Sequence, residues 1–532
     1  DVLAEIRPGI GSTVRDAGRT IGRGGRLMIT FCVSSLLLVV AYFVYGAYLD
    51  RTLGIDRTRQ VPAIENQDGV DYIPMPWPRV FLIQLLNIAG LGPIFGAIAG
   101  ALWGPVVFLW IVFGGIFIGA VHDYIAGYIS LRSNGAGLPE IIGTYLGSGP
   151  KRVMILLVMV LLVMVGAVFV MGPAKILADM NVPASVETAT APASGAQLED
   201  PFARTASGTS ATPAAQAAWL ASPMFWSVLI FTYYLLATLL PIDKLIGRVY
   251  PVFGLALILM VVLIVYRMFS GAWAIPELTL ENLHPAGTPI WPVMMITVAC
   301  GAISGFHATQ SPMMARTVTG EGFARRVFFG AMLTETFIAL VWAAAAIAIC
   351  HGSTVELQKM LGPAGDAVVV VRAVGNTLGH WGMVLVLLGV VALPVTTGDT
   401  AFRSARLILA ELTGLNQKPF LNRIMLSLPL FLIGGWLCTI DFGVVWRYFA
   451  WLNQTLAVFT LWACTVYLRR LGRNSWITLI PAVFMSVVAS AFILTNAKLG
   501  FGLGPLPGYA LSIAFTLFCL ALANARSRPQ AA

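Results

Sequence analysis

Between Val153 and Met171 the chain carries no charged or hydrogen-bonding side chain. A run of that kind matches the about 20 residues a helix needs to cross the hydrocarbon of a bilayer, and Leu27 to Tyr48, uncharged though it carries hydroxyls, is a second apolar run of that length. A soluble core cannot absorb a series of such runs, so lipid is the solvent for most of this surface. Within lipid every backbone N–H and C=O must be satisfied inside its own helix or in a closed barrel. Charged residues make up 11% of the 532 and hydrophobic residues 58%, where about a quarter charged is usual for globular domains. The expected fold class is an all-α polytopic membrane protein.

Glycine and proline divide the apolar sequence into about a dozen spans. An Arg-rich amino-terminal segment, a leading helix and a linker occupy 1–80, and a first five-helix repeat occupies 81–267. A second, inverted repeat covers 291–468, and two final helices with a cytoplasmic tail cover 469–532. Within the first repeat, 173–223 reads as an external loop, because Asn181 to Ser222 is rich in Ala, Ser, Thr and Pro and has too little apolar periodicity to bury a core. The Arg-rich start resembles a signal-peptide n-region, but the apolar run behind it is too long and lacks a small-residue cleavage site, so it reads as a retained helix.

The formal charge of +9 needs no nucleic-acid partner, because cytoplasmic loops of membrane proteins accumulate Lys and Arg. Placing the loop after Leu131 in the cytoplasm puts seventeen cations inside, Arg132, Arg316, Arg325, Arg470 and Arg526 among them. Seven remain outside, including Lys175, Arg372, Arg447 and Lys498. The carboxyl terminus is then cytoplasmic, and the membrane expected is a bacterial inner membrane. The same choice leaves Arg7, Arg15, Arg19, Arg23 and Arg26 outside if the leading helix crosses once. Either that segment tolerates external arginines, or the helix is re-entrant or peripheral. The six cysteines lie scattered in apolar runs without close pairs and read as packing residues.

Two spans are interrupted by glycine. The first interruption is Asn87-Ile-Ala-Gly-Leu-Gly-Pro-Ile-Phe-Gly96, and the second is Cys300-Gly-Ala-Ile-Ser-Gly-Phe-His307. Counted from Phe81 they fall in spans one and six, and an odd repeat of five inverts the second half in the membrane. Broken helices at corresponding places in two inverted halves point to a secondary-transporter site at the midplane. Freed N–H groups there suit an anionic substrate and freed carbonyls suit a cation. The candidate substrate residues are Gly90, Gly92, Pro93 and Gly96 at the first break, with Gly301, Ser304, Gly305 and His307 at the second. Gly92, Gly96 and Gly100 also fit an ordinary small-residue packing ridge; Pro93 favours a true break, because proline removes a donor and obstructs the preceding turn.

A charge at the centre of a membrane helix costs ~2.5–3.5 kcal/mol on insertion scales, so every ionisable residue in a span is a functional candidate. These are His122, Asp123, His307, Glu335, Asp399 and Arg403. Asp123 lies between Gly119 and Gly127 at helical spacing, open to close approach by a helix or a substrate. Low dielectric disfavours charge, which makes Asp123 and Glu335 candidate proton carriers, and histidine titrates near neutrality without help. His122 reads equally as a packing residue, and Asp399 with Arg403 reads first as an i, i+4 ion pair. Asn453 and Gln454 read as interhelical hydrogen-bonding residues. The His, Asp and Glu residues invite a metal site, yet no local ligand motif supports one. No Walker loop or Gly-x-Ser-x-Gly elbow is present. No metal, cofactor or enzymatic activity is therefore expected, and an ion gradient supplies the energy.

Phe81-Leu-Ile-Gln-Leu-Leu-Asn-Ile-Ala-Gly-Leu-Gly-Pro-Ile-Phe-Gly96 resembles the signature of the carbon starvation protein A (CstA) family. So do Gly119-Ala-Val-His-Asp-Tyr124, Leu131-Arg-Ser-Asn-Gly135, Ile296-Thr-Val-Ala-Cys-Gly-Ala-Ile-Ser-Gly-Phe-His-Ala308, Gly330-Ala-Met-Leu-Thr-Glu335 and Asp399-Thr-Ala-Phe-Arg-Ser-Ala-Arg406. The sequence departs from one branch at Leu82 to Leu86, where relatives carry a Gly-His segment. The resemblance implies a transporter used under carbon limitation, taking up peptides or, with protons, pyruvate. It also implies the five-plus-five inverted-repeat, leucine-transporter-like core of the amino acid, polyamine and organocation superfamily, with additional peripheral helices. The leading expectation is a proton symporter for pyruvate or a similar small monocarboxylate, with Asp123, His307, Glu335, His122 or Asp399 in the proton path. Di- or tripeptide import is the alternative. A membrane sensor that moves nothing is a remote third, against which stands the lack of an appended cytoplasmic domain after Arg526.

Overall fold

The computed structural model describes residues 28–68, 72–180, 218–239, 243–273, 275–362, 365–415 and 419–527. The Arg-rich segment before Met28 and loop residues 181–217 lie outside that set. Among the described residues the secondary structure is helical apart from one isolated bridge, Met75 to Val318. Ten helical segments among the described residues are long and apolar enough to cross a membrane.

The leading helix, α1 (Ile29–Leu53), stands at the edge of the bundle with Ile29, Leu36, Phe43 and Val44 exposed. Glu277 holds its start, accepting the N–H groups of Ile29 (2.9 Å) and Thr30 (2.8 Å). One carboxylate thus satisfies two of the orphan donors of a helix N-terminus. At the other end Asp50 lies 3.4 Å from Arg325, and the Gly54 carbonyl accepts from Arg132 at 3.3 Å. The helix therefore runs from one face of the bundle to the other. It is peripheral and it is not re-entrant.

The core follows in two sets of five. The first comprises α2, broken into α2a (Trp77–Ile88) and α2b (Leu91–Gly100), then α3 (residues 107–132), a short α4 (Leu138–Leu146), α5 (Ser148–Met180), α6 (Pro223–Leu239) and α7 (Asp243–Arg267). The second begins with α8, broken into α8a (residues 290–297) and α8b (Gly305–Ala315), followed by α9 (Glu321–Ile349). Two short helices, α10 (Thr354–Leu361) and α11 (Val368–Thr377), precede α12 (Gly379–Ala410), α13 (Phe420–Leu437) and α14 (Phe442–Arg470). Each set thus opens on a broken helix and places short helices between its second and third long members.

The short helices lie on opposite faces. The Thr144 carbonyl in α4 accepts from Arg470 (3.4 Å), which also donates to the Arg526 carbonyl (3.0 Å) on the arginine-rich face. Asp366, just before α11, instead pairs with Lys175 near the far end of α5 at 2.9 Å. This is the inverted five-plus-five arrangement. Two further helices, α15 (Trp476–Thr495) and α16 (Pro505–Ser527), follow, α15 being fixed to α14 by Trp462 Nε1 donating to Ser486 Oγ at 3.0 Å.

Three core helices change pitch just before a buried ionisable residue. π-helical turns occupy Trp110–Gly119 in α3, Arg325–Phe329 in α9 and Leu387–Ala392 in α12, ahead of Asp123, Glu335 and Asp399. Gly379 (φ +77°) separates α11 from α12, and α12 runs on past Asp399 and Arg403.

Candidate functional site

The first break lies where Ala89 (ψ 39°) and Gly90 (ψ −143°) leave the helical region, and Pro93 supplies no N–H to bridge back across it. In α8 the helix ends at Val298 (ψ 67°), Gly301 takes φ +88°, and Ser304 (ψ 125°) restarts it. The positive φ at Gly301 is one that glycine adopts without steric penalty. The two breaks face each other. A Cβ on Gly92 would overlap Cys300, one on Gly96 would stand 3.1 Å from the Thr297 carbonyl oxygen, and one on Gly301 3.7 Å from Pro93 Cβ.

The start of α8b is committed to packing. Asn453 Oδ1, on α14, accepts the Phe306 N–H (2.9 Å) and the Ser304 hydroxyl (3.1 Å), while the backbone of Asn453 and Ala457 crowds Gly305. The donors that sequence reasoning offered to an anion are thus partly taken by α14 in this conformation.

Four ionisable residues from three helices meet beside the second break, all fully buried. His122 Nδ1 lies 2.8 Å from Asp123 Oδ1, both on α3. Asp123 Oδ2 lies 2.9 Å from His307 Nδ1 on α8b, and His307 Nε2 lies 3.3 Å from Glu335 Oε2 on α9. Gly119 and Gly127 admit neighbouring helices: Gly119 packs on the Ala302 carbonyl inside the second break, and Gly127 on the ring of Phe328. An ionised Asp123 only accepts, so it requires hydrogen on Nδ1 of both rings. A neutral His307 then turns a bare Nε2 toward Glu335. Two acceptors repel at that distance, and a proton on either Nε2 or Oε2 would relieve the contact. Neither Nε2 nor either Glu335 oxygen has a hydrogen-bond partner among the described residues.

Asp399 is placed elsewhere. It sits 3.4 Å from Arg403 on α12, and Arg403 donates to the Ala237 carbonyl of α6 at 2.8 Å. Cys300, expected to be a packing residue, is brought to the cluster: its Sγ, a His307 nitrogen and a Glu335 oxygen lie within 4.8 Å of one another. That donor set has the chemistry of a divalent-metal site. Its members come from two helices, which is why no local motif announced it.

Sequence reasoning also missed Gln84, Asn87 and Gln310. All three are buried in α2a and α8b, and Gln84 Nε2 and Oε1, Asn87 Oδ1 and Gln310 Oε1 have no hydrogen-bond partner among the described residues. The available signal was an amide within about two turns of a break. Two cavities flank the site without reaching the four ionisable residues. One of about 380 Å³ lies over α2b and α8a, and one of about 400 Å³ lies among α4, α5, α8b and α12.

Comparison with known proteins places these features in context. The chain matches the family model described as carbon starvation protein CstA over residues 26–197, 203–383 and 363–491. It is 43% identical to an uncharacterised membrane protein of Haemophilus influenzae over 335 residues, 59% of this chain and 89% of that protein. It is 25% identical to the peptide transporter CstA of Escherichia coli over 574 residues, 88% of this chain and 81% of the other. Identity to the pyruvate/proton symporter BtsT of Escherichia coli is 26% over 569 residues, 84% and 78% of the two chains. A manganese transporter of Eremococcus coleocola is similar in structure at a TM-score of 0.48 and 12% identity, over 86% of this chain and 98% of its own.

Proposed function

The chain belongs to the carbon starvation protein CstA family of transporters, and from that membership we propose that it imports pyruvate or a similar small monocarboxylate by proton symport. The observation that supports the reading is the buried chain of contacts from Glu335 through His307 and Asp123 to His122, set against two facing helix breaks. A proton relay that bridges the two inverted halves changes when the halves rearrange, which is what coupling to alternating access requires. The carboxylate is assigned to the break backbone around Gly90, Gly92, Pro93, Gly96 and Gly301, with Gln84, Asn87 and Gln310 supplying amide contacts. The cavities on either side become the outward and inward approaches.

In this reading the arginine-rich face is cytoplasmic in a bacterial inner membrane, as the excess of Lys and Arg in cytoplasmic loops favours. The carboxyl terminus is then inside and the start of α1 outside. Purified protein in proteoliposomes should accumulate labelled pyruvate when the outside is acidified, and an uncoupler should abolish the accumulation. Uptake indifferent to the proton gradient would sink the symport. Competition by alanyl-alanine would instead make a peptide the cargo, as for the relatives named peptide transporter CstA.

A further inference from the structure

We propose that the cavity over α2b and α8a is a second binding site, which gathers a small organic carboxylate before it reaches the breaks. The inference rests on the transport reading above and adds a place where the cargo pauses. The cavity is about 380 Å³, within the range of small-molecule sites. Its floor is made of Phe95 and Ala99 from α2b with Ile296 and Thr297 from α8a. Gly96 lies against the Thr297 carbonyl at that level, so the two outer half-helices close the floor at backbone contact. Phe442 and Trp446, with ring centroids 5.8 Å apart, form an aromatic wall on the first turns of α14. Arg447 and Lys498 are exposed and line the same cavity.

Charge gives the cavity its selectivity. This face of the bundle is poor in cations, and three of them are paired: Lys175 with Asp366 (2.9 Å), Lys359 with Glu356 (2.9 Å) and Arg372 with Asp179 (3.3 Å). Arg447 Nε donates to the Gly443 carbonyl at 2.9 Å, and neither Arg447 nor Lys498 is in an ion pair among the described residues. No Asp or Glu lines the cavity among those residues. Of the acids nearby in sequence, Asp366 is held by Lys175, and Asp441 caps α14 by accepting the Val444 N–H at 3.1 Å. Two unpaired cations beside an aromatic wall concentrate an anion with a charged head and a small apolar body. A zwitterionic peptide gains less, because its amine meets the same cations. The cavity therefore favours a monocarboxylate over a peptide.

Such a site acts on capture more than on turnover. The test measures initial rates of labelled pyruvate uptake by the full chain in proteoliposomes, over a range of concentrations and at low and high salt. Wild type is compared with the Arg447→Gln/Lys498→Gln double variant and with Arg447→Lys. The double variant should raise KM roughly tenfold and lose the salt dependence of Vmax/KM, while Arg447→Lys, which keeps the charge, stays within about twofold of wild type. A second arm titrates purified full-length protein with pyruvate and reads tryptophan fluorescence, to which Trp103 and Trp446 in the lining contribute. Unchanged KM, salt dependence and binding in the double variant overturn the capture site while leaving symport intact. Pyruvate binding that the double variant loses, with no uptake by wild type, overturns symport and leaves the capture site standing. Absence of both binding and uptake overturns both.

Discussion

Gly119→Ala tests whether the proton relay depends on how closely α3 approaches the second break. A Cβ at this position would run into the Ala302 carbonyl oxygen and stand 2.6 Å from Met332 Cε, where ordinary contact begins at 3.4 Å. The methionine can swing aside, but the carbonyl belongs to the backbone of a packed break, so the two helices must part by about 1 Å. Asp123 is one turn further along the same face. Its 2.9 Å contact with His307 then opens to nearly 4 Å, beyond hydrogen-bond range. Losing a hydrogen bond to a charged group costs about 1.5–3 kcal/mol, overpacking about 1–3 kcal/mol, and a 1 Å misplacement of reacting groups about a hundredfold in rate. The variant should therefore melt several degrees lower and show proton-driven pyruvate uptake down about a hundredfold. Gly149, with nothing within 4 Å of an added Cβ, is the control, and Gly149→Ala should transport like wild type. Wild-type uptake and melting in Gly119→Ala would refute the claim that close approach sets the relay.

An asparagine at position 123 can satisfy one ring with its oxygen but sets its amide against the other and has no titratable proton to relay. Asp123→Asn should lose accumulation of pyruvate against its gradient while retaining exchange between equal pools, and uphill accumulation by the variant would show that the proton travels elsewhere. Because the Cys300, His307 and Glu335 donors also suit a divalent ion, dialysis against a chelator should leave uptake unchanged, with elemental analysis finding no stoichiometric metal. Activity lost on chelation and restored by zinc would replace the proposed proton with a metal. Glu277 is exposed, and although some desolvation pushes its carboxyl up, the Thr30 hydroxyl and the Thr30 and Ile29 N–H groups outweigh this and hold it below its ordinary value of 4.5. A lowered folded-state value gives stability that is present above the unfolded value and lost as pH falls through the folded one. Hydrogen exchange at Ile29 and Thr30 should accordingly be slow near neutrality and speed up, beyond its intrinsic trend, only well below pH 4.5. Glu277→Gln should speed it severalfold at neutral pH, from loss of about 1 kcal/mol of capping; equal exchange in the variant would deny Glu277 its role as cap.

The architecture was legible because lipid leaves the backbone few choices: apolar runs became helices, and the Gly-Pro and Gly-x-x-x-Gly interruptions became breaks where expected. Asp123, His307 and Glu335 stood out as charges in apolar surroundings. That they touch was not legible, since α3, α8b and α9 meet only through tertiary packing. Cys300 was hidden for a related reason: thiols are common in membrane helices, and its partner Asn453, read from sequence as an interhelical hydrogen-bonding residue, lies over a hundred residues away in the chain. The end of α12 was not legible, because the polar run from Thr396 to Asp399 lowers local hydropathy, whereas in the folded chain Thr397 and Asp399 are buried against neighbouring helices. The short helices α4, α10 and α11 escaped notice because helices of this length do not cross a bilayer and lack a span's apolar signal.

The π turn in α3 makes the relay a matter of rotational phase. A π turn carries one residue more than the α turn it replaces, and one residue of an α-helix subtends about 100°. Removing a single residue from 110–119 would rotate the rest of α3 by about 100°, turning Asp123 away from His307 although neither residue had changed. Among relatives, a one-residue gap in this stretch is therefore equivalent to a change of site, and alignments that slide across it would pair carboxylates that face different neighbours.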